Sequence, residues 1–147
     1  MKYPEVKDSS YQIWYSGKKE LFQGHNLRDE LLVYEAGLNN TDLIQQCIDL
    51  FNSEIEWDGM FDLVEAQRRL FDGHRMFILI EEEVLGHVWF EDDYLYNFFV
   101  SQNRTKGDSQ EFCKYTCNTI DSDIRLFVAK DNIRGQKFFE GVGFTKK

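Results

Sequence analysis

The stretch Asn103–Phe112 reads NRTKGDSQEF, two cations and a glycine leading into two acids. Arg104, Lys106 and Gly107 suit a loop that wraps a phosphate at the start of a helix. Glycine admits close backbone approach, and a helix N-terminus offers unpaired N–H groups and about half a positive charge. Asp108 and Glu111 suit a helix that caps itself: Asp108-Ser109-Gln110-Glu111 fits a capping box, with Asp108 at the N-cap and Glu111 three positions on. Taken alone, the bare cap is the stronger reading, so the surrounding chain has to decide.

Upstream, Met76-Phe77-Ile78-Leu79-Ile80 is a continuous apolar run, the pattern of a strand covered on both faces. Three glutamates turn the chain into a second strand, Val84 to Glu91, and Asp92-Asp93 turns it into a third, Tyr94 to Val100. Connections this short make an antiparallel meander. Downstream, a helix is expected from Asp108 to Ile120, then a strand Ile124 to Val128. A short helix follows, Asn132 to Glu140, closed by Gly141, and Gly143-Phe144 starts a stub.

Before the meander, Leu31 to Ala36 reads as a strand, with Gly37, Asn39 and Asn40 as its turn. Asn40 or Thr41 can cap the next helix, whose apolar residues Leu43, Ile44, Cys47, Ile48 and Phe51 fall at helical spacing. A second helix places Phe61, Val64, Arg68 and Phe71 on one side and stops at Asp72-Gly73. Residues 1–30 show no clean period; they are expected to form an extension packed on the domain, with a strand near Tyr11 to Tyr15.

At 147 residues the chain is expected to be one domain, able to bury a full core. Its net charge is −9, with no dense cluster of Lys and Arg, which argues against a nucleic-acid backbone or an anionic membrane as main partner. The acidity is compatible with a cationic acceptor such as an amine. Three cysteines, Cys47, Cys113 and Cys117, form no disulfide framework, and Cys113 and Cys117 read as small core residues on one helix. No apolar run approaches the ~20 residues of a membrane span, and the N-terminus lacks the apolar segment of a signal peptide, so a cytoplasmic setting is expected. His25, His74 and His87 show no metal-ligand spacing, and no metal is expected.

The element order, with three local segments, resembles the GNAT family of N-acetyltransferases. The segments are the hairpin FILIEEEVLGHVWF (Phe77–Phe90) with Gly86 opening its second strand, VSQNRTKGDS (Val100–Ser109), and NIRGQKFFEGVGF (Asn132–Phe144). The second is similar to the family's Arg/Gln-x-x-Gly-x-Gly/Ala signature at Arg104, Gly107 and Ser109. The third is similar to its Asn-x-x-Ala-x-x-(Leu/Phe)-Tyr-Glu-x-x-Gly-Phe segment. The resemblance covers about residues 31–147 and tips the opening stretch toward the phosphate loop.

It implies an α+β fold in which a mixed, mostly antiparallel sheet is flanked by helices. The sheet would splay between two central strands, here Tyr94–Val100 and Ile124–Val128. It also implies acetyl-CoA as co-substrate, held by Phe98, Phe99, Val100, Arg104, Thr105, Lys106, Gly107, Asp108, Ser109 and Asn132. The implied reaction is direct attack of a primary amine, of a small molecule or peptide, on the thioester. Tyr96, Tyr94 and Glu91 are the candidate acid–base residues, and Trp57 lies where relatives line the acceptor site.

Four positions depart from the family pattern. Phe139 stands where the family has a tyrosine, and phenylalanine cannot donate a proton to a thiolate. The link from Val100 to Arg104 is one residue short and lacks the family's proline. Asp108 is an acid where the family has a small or apolar residue, so Asp108→Gly is expected to tighten cofactor binding. The chain ends at Lys147, where the family runs a full final strand. These departures leave open a catalytically impaired binding or assembly module, and a homodimer in which a second copy supplies the final strand.

Overall fold

The computed structural model describes residues 12–56 and 61–147. Trp57, and Tyr11 at the start of the expected first strand, lie outside them. Seven strands form one sheet in the order β2-β3-β4-β5-β6-β1-β7. They are β1 (Gln12–Gly17), β2 (Leu32–Glu35), β3 (Arg75–Glu81), β4 (Glu83–Glu91), β5 (Tyr94–Val100), β6 (Ile124–Ala129) and β7 (Thr145–Lys146). The helices are α1 (Thr41–Glu54), α2 (Leu63–Phe71), α3 (Asp108–Ile120) and α4 (Ile133–Val142). Every strand pair is antiparallel except β5 with β6.

Period-two alternation in the strands builds a core on each face. Met76, Ile78, Trp89 and Phe99 pack with Ile44, Cys47, Ile48 and Phe51 of α1. Phe77, Leu79, Phe90, Leu126 and Val128 pack with Phe112, Cys113 and Cys117 of α3 and Val142 of α4. The apolar run Met76–Ile80 is therefore sandwiched, as its composition demands.

The strand expected near Tyr11 to Tyr15 is present as β1, and it lies within the sheet. β1 pairs with β6 from Gln12↔Ala129 to Gly17↔Ile124 and holds β7 on its other edge through Tyr15↔Lys146 and Ser16↔Thr145. β1 thus joins β6 to the two-residue strand β7 within the one chain. Tyr15 is fully buried there and donates to Glu140 Oε2 at 2.5 Å. Burial first, and the Glu140 carboxylate second, push its phenol up to about 12.

Two local expectations give way to tertiary structure. Along α2 the buried residues are Glu65, Ala66 and Arg69, while Val64 and Phe71 are 74% and 80% exposed. The charges go inward because they satisfy one another. Arg69 Nε donates to Glu65 Oε2 at 2.8 Å, and its guanidinium lies 5.0 Å from the Trp89 ring and 5.1 Å from that of Phe61. Burial pushes Glu65 up, but Arg68 and Arg69 more than reverse it and hold its carboxyl at about 2. At the end of α4, Gly141 stays inside the helix, and Gly143, at φ 120°, ends it.

Candidate active site

β5 and β6 touch at the single bridge Tyr94↔Arg125 and then part. The closed end is pinned twice by Asp93, whose carbonyl accepts from Arg125 N at 3.0 Å and whose carboxylate accepts from Arg125 Nε at 3.1 Å. Beyond it opens a cleft of about 530 Å³ bounded by β5, β6 and the start of α4. Ser101 N donates to Leu85 O at 2.7 Å, and Val100 sits opposite Gly86. Antiparallel alternation then turns the N–H and C=O of Phe99 toward β4 and those of Phe98 and Val100 toward the cleft. Strand β5 therefore presents unpaired backbone to the opening, a ready edge for an extended ligand.

Gly86 explains how β5 is brought so close to β4. A Cβ there would lie 2.4 Å from Phe99 O and 2.9 Å from Val100 Cα. A register shift between Trp89 and Phe90 leaves Tyr96 as the extra residue of β5, since Trp89 opposes Asn97 and Phe90 opposes Leu95. Tyr96 consequently lies on the α1/α2 side with Phe99, while Leu95 and Phe98 face α3 and α4.

The open end of the cleft leads to the start of α3, and here the capping box fails. Gly107, at φ 95°, occupies the N-cap, and no side chain caps the helix. The Asp108 carboxylate instead meets Arg28 in a two-point pair, Nε to Oδ1 and Nη2 to Oδ2, both 2.9 Å, and accepts from Thr105 N at 3.1 Å. Glu111 turns to the amide of Asn26. Arg28 also donates to Glu81 Oε1 at 2.9 Å, so it ties the N-terminal segment, the β3–β4 turn and the loop together. Asp108 is 2% exposed, and the Arg28 guanidinium beside it holds its carboxyl below the usual range despite burial. The acid that looked hostile to a phosphate is paired with Arg28 and does not cap the helix. Asp108→Gly would remove one of the carboxylates that Arg28 engages, leaving it Glu81.

What remains at the loop suits an anion. The first-turn amides of α3 carry no side-chain cap, Arg104 lines the cleft, and nothing lies within 4 Å of the place a Gly107 Cβ would take. Across the opening, Asn132 caps α4 by accepting from Gly135 N at 2.9 Å, and Arg134 adds a second cation to the lining. Glu54 also reaches the rim, but both its oxygens are engaged, by Ser101 Oγ at 2.5 Å and Gln102 N at 3.0 Å.

Of the residues singled out in the sequence, Phe98, Phe99, Val100, Arg104, Ser109, Asn132 and Tyr96 line the cleft; Thr105, Lys106, Gly107, Asp108, Tyr94 and Glu91 do not. Tyr94 stacks on Phe127 beneath the Arg125 guanidinium at the closed end. Glu91 is exposed, yet its Oε2 lies 3.5 Å from His74 Nε2, while His74 Nδ1 is 2.7 Å from the Tyr96 hydroxyl. Phe139 lines the cleft within an aromatic group of Phe98, Phe138 and Phe144, which offers no proton donor. Sequence reasoning missed Arg28, Glu54, His74 and Arg134. Only Arg134, two residues after Asn132 at the start of a helix, carried a local signal. His87 is buried against Phe51, Phe61 and Phe99, and burial drives its imidazole down to about 4, so it packs as a neutral ring.

No family model and no curated protein matches the chain. Solved structures do. A Drosophila protein superposes with a TM-score of 0.68 over 92% of this chain at 11% identity. An aminoglycoside acetyltransferase from an uncultured soil sample, solved with trehalose, superposes with a TM-score of 0.65 at 15% identity, covering 80% of this chain and 90% of that one. A ribosomal-protein-alanine N-acetyltransferase from Brucella melitensis gives 0.60 at 14% identity, covering 76% of this chain and 90% of that one. The chain spans 47% of the Drosophila protein and 57% of a Staphylococcus epidermidis protein of unknown function. At these identities the likeness is one of fold, and the chain has the fold of the GNAT acetyltransferases. No helix among the described residues is long and apolar enough to cross a membrane.

Proposed function

We propose that the chain is an acetyl-CoA-dependent N-acetyltransferase acting on a primary amine of a small molecule or peptide. One observation carries this: the splay between β5 and β6 exposes the backbone of Phe98 and Val100 and runs directly to the uncapped N-terminus of α3. That continuity matches a ligand with an extended amide-bearing arm and a pyrophosphate. Phe98 and Val100 would pair with the arm. The first-turn amides of α3 and Arg104 would hold the pyrophosphate, with Arg134 across the opening. Acetyl-CoA supplies an activated thioester; the protein supplies position and a backbone N–H facing the carbonyl oxygen.

Calorimetry and thermal unfolding with acetyl-CoA test the proposal. Ligand at ~100 times its dissociation constant should add about 2.7 kcal/mol of stability. Thiol release would then be followed with sisomicin and with an alanyl peptide as trial acceptors. No stabilisation at millimolar acetyl-CoA would sink it. Phe139 favours a second reading, a module of the same fold that binds coenzyme A without turnover. Thiol release with any amine would remove it.

A further inference from the structure

His74, Tyr96 and Glu91 form a line from the cleft to solvent. Tyr96 lines the cleft, His74 is mostly buried with its side chain 18% exposed, and the Glu91 side chain is 57% exposed. The line is assembled from three elements by the register of the sheet. His74 immediately precedes β3 and is fixed through its backbone N, which donates to Arg69 O at 3.0 Å. Glu91 ends β4 beside it, and the shifted register of β5 turns Tyr96 toward both. With His74 protonated on Nε2, facing Glu91, its Nδ1 accepts from the Tyr96 hydroxyl at 2.7 Å.

We propose that His74, acting through Tyr96, takes up the proton that the acceptor amine must lose before attack. This rests on the acetyltransfer reading above. An alkylammonium has no lone pair and cannot attack a thioester. Its proton passes to Tyr96 Oη as the phenol's own proton passes to His74 Nδ1. Tyr96 stays neutral, and the imidazolium is compensated by the Glu91 carboxylate 3.5 Å from Nε2. The freed amine forms the C–N bond, the C–S bond breaks, and the second nitrogen-bound proton goes to the departing thiolate, giving amide and thiol. His74 then returns its proton to water at the Glu91 end. Other charges near this group come from two sides: the Arg69 guanidinium lies 5.4 Å from the Tyr96 ring centre and is paired with Glu65 at 2.8 Å, and the Arg125 guanidinium lies over the neighbouring Tyr94 ring and is paired with Asp93 at 3.1 Å. Their charges offset, leaving Glu91 to balance the imidazolium.

Two small nucleophiles separate this role from a structural one. Ethylamine is charged at neutral pH and must lose a proton; hydroxylamine is already uncharged. His74→Gln is expected to slow enzymatic acetylation of ethylamine about 100-fold, within the range of general-base effects. It should change transfer to hydroxylamine, corrected for the uncatalysed reaction, less than threefold. Tyr96→Phe should reproduce that selectivity. Glu91→Gln, on an exposed side chain that leaves folding intact, should slow ethylamine alone, by three- to tenfold. Equal losses with both nucleophiles, or a wild-type protein that binds acetyl-CoA yet acetylates neither nucleophile, would overturn the relay. Failure to bind acetyl-CoA at all would instead overturn the acetyltransfer reading.

Discussion

Arg28→Met removes a charge while keeping most of an aliphatic stem, and it leaves Asp108 as a carboxylate 2% exposed, hydrogen-bonded by the Thr105 amide and with the Arg104 charge nearby. Breaking a buried ion pair from one side costs roughly 3–5 kcal/mol. Arg28 is itself 30% exposed and shared with Glu81, which places the expected loss near the lower end, about 3 kcal/mol. Asp108→Asn should cost less, ~1–2 kcal/mol, because Arg28 keeps Glu81 and the amide oxygen can still accept from Thr105. The double variant no longer buries an unpaired charge. It should therefore be more stable than Arg28→Met, with a coupling energy of about 2 kcal/mol in a denaturant double-mutant cycle. Acetyl-CoA affinity should fall about tenfold, or ~1.4 kcal/mol, in Arg28→Met, since an uncompensated acid then sits beside the phosphates. It should hold in Asp108→Asn. Additive single variants, or an Asp108 variant that binds acetyl-CoA tenfold more tightly, would refute the pairing as the reason an acid is tolerated there.

Gly86→Ala would force a Cβ to 2.4 Å from Phe99 O, so β4 and β5 must separate. Chemical denaturation should show a loss of about 1–3 kcal/mol, accompanied by weaker acetyl-CoA binding; an unperturbed variant would show that the strands are not in that close contact. His87 is neutral in the fold, its imidazole lowered from 6.5 to about 4, so its contribution is complete above pH 6.5 and is lost as pH falls toward 4. His87→Phe, placed among Phe51, Phe61 and Phe99, should flatten the stability–pH curve across that window, and an unchanged slope would show that the ring is hydrated.

The element order was legible because each segment carries its own period or punctuation. Tyr94–Val100 and Asp108–Ile120 fall where their apolar spacing and flanking Asp and Gly residues put them. Pairings across long sequence distances were not legible. Asp108 and Glu111 look like a capping box to any local rule, and their true partners, Arg28 and Asn26, come from 80 and 85 residues away. The buried face of α2 defeats hydropathy for the same reason: Arg69 is stable inside only because Glu65, Trp89 and Phe61 are already there. The place of β1 between β6 and β7 has no local signature, since Trp14 and Tyr15 fit an edge, an extension or an interior strand equally well. At the candidate site, the loop before α3 was marked in the sequence by Arg104 and Gly107. His74 was not marked, because its contacts with Tyr96 and Glu91 depend on the sheet register that brings β3, β4 and β5 to one corner.

The proposed acetyl-CoA site is the opening between β5 and β6 with the start of α3. Backbone amide spectra recorded during titration with acetyl-CoA test it most directly. Saturable shifts are expected at Phe98, Val100, Ser109, Gln110 and Asn132, with the outer face of α2 unmoved. Amides that stay still at millimolar acetyl-CoA, or shifts gathered elsewhere on the chain, would contradict it.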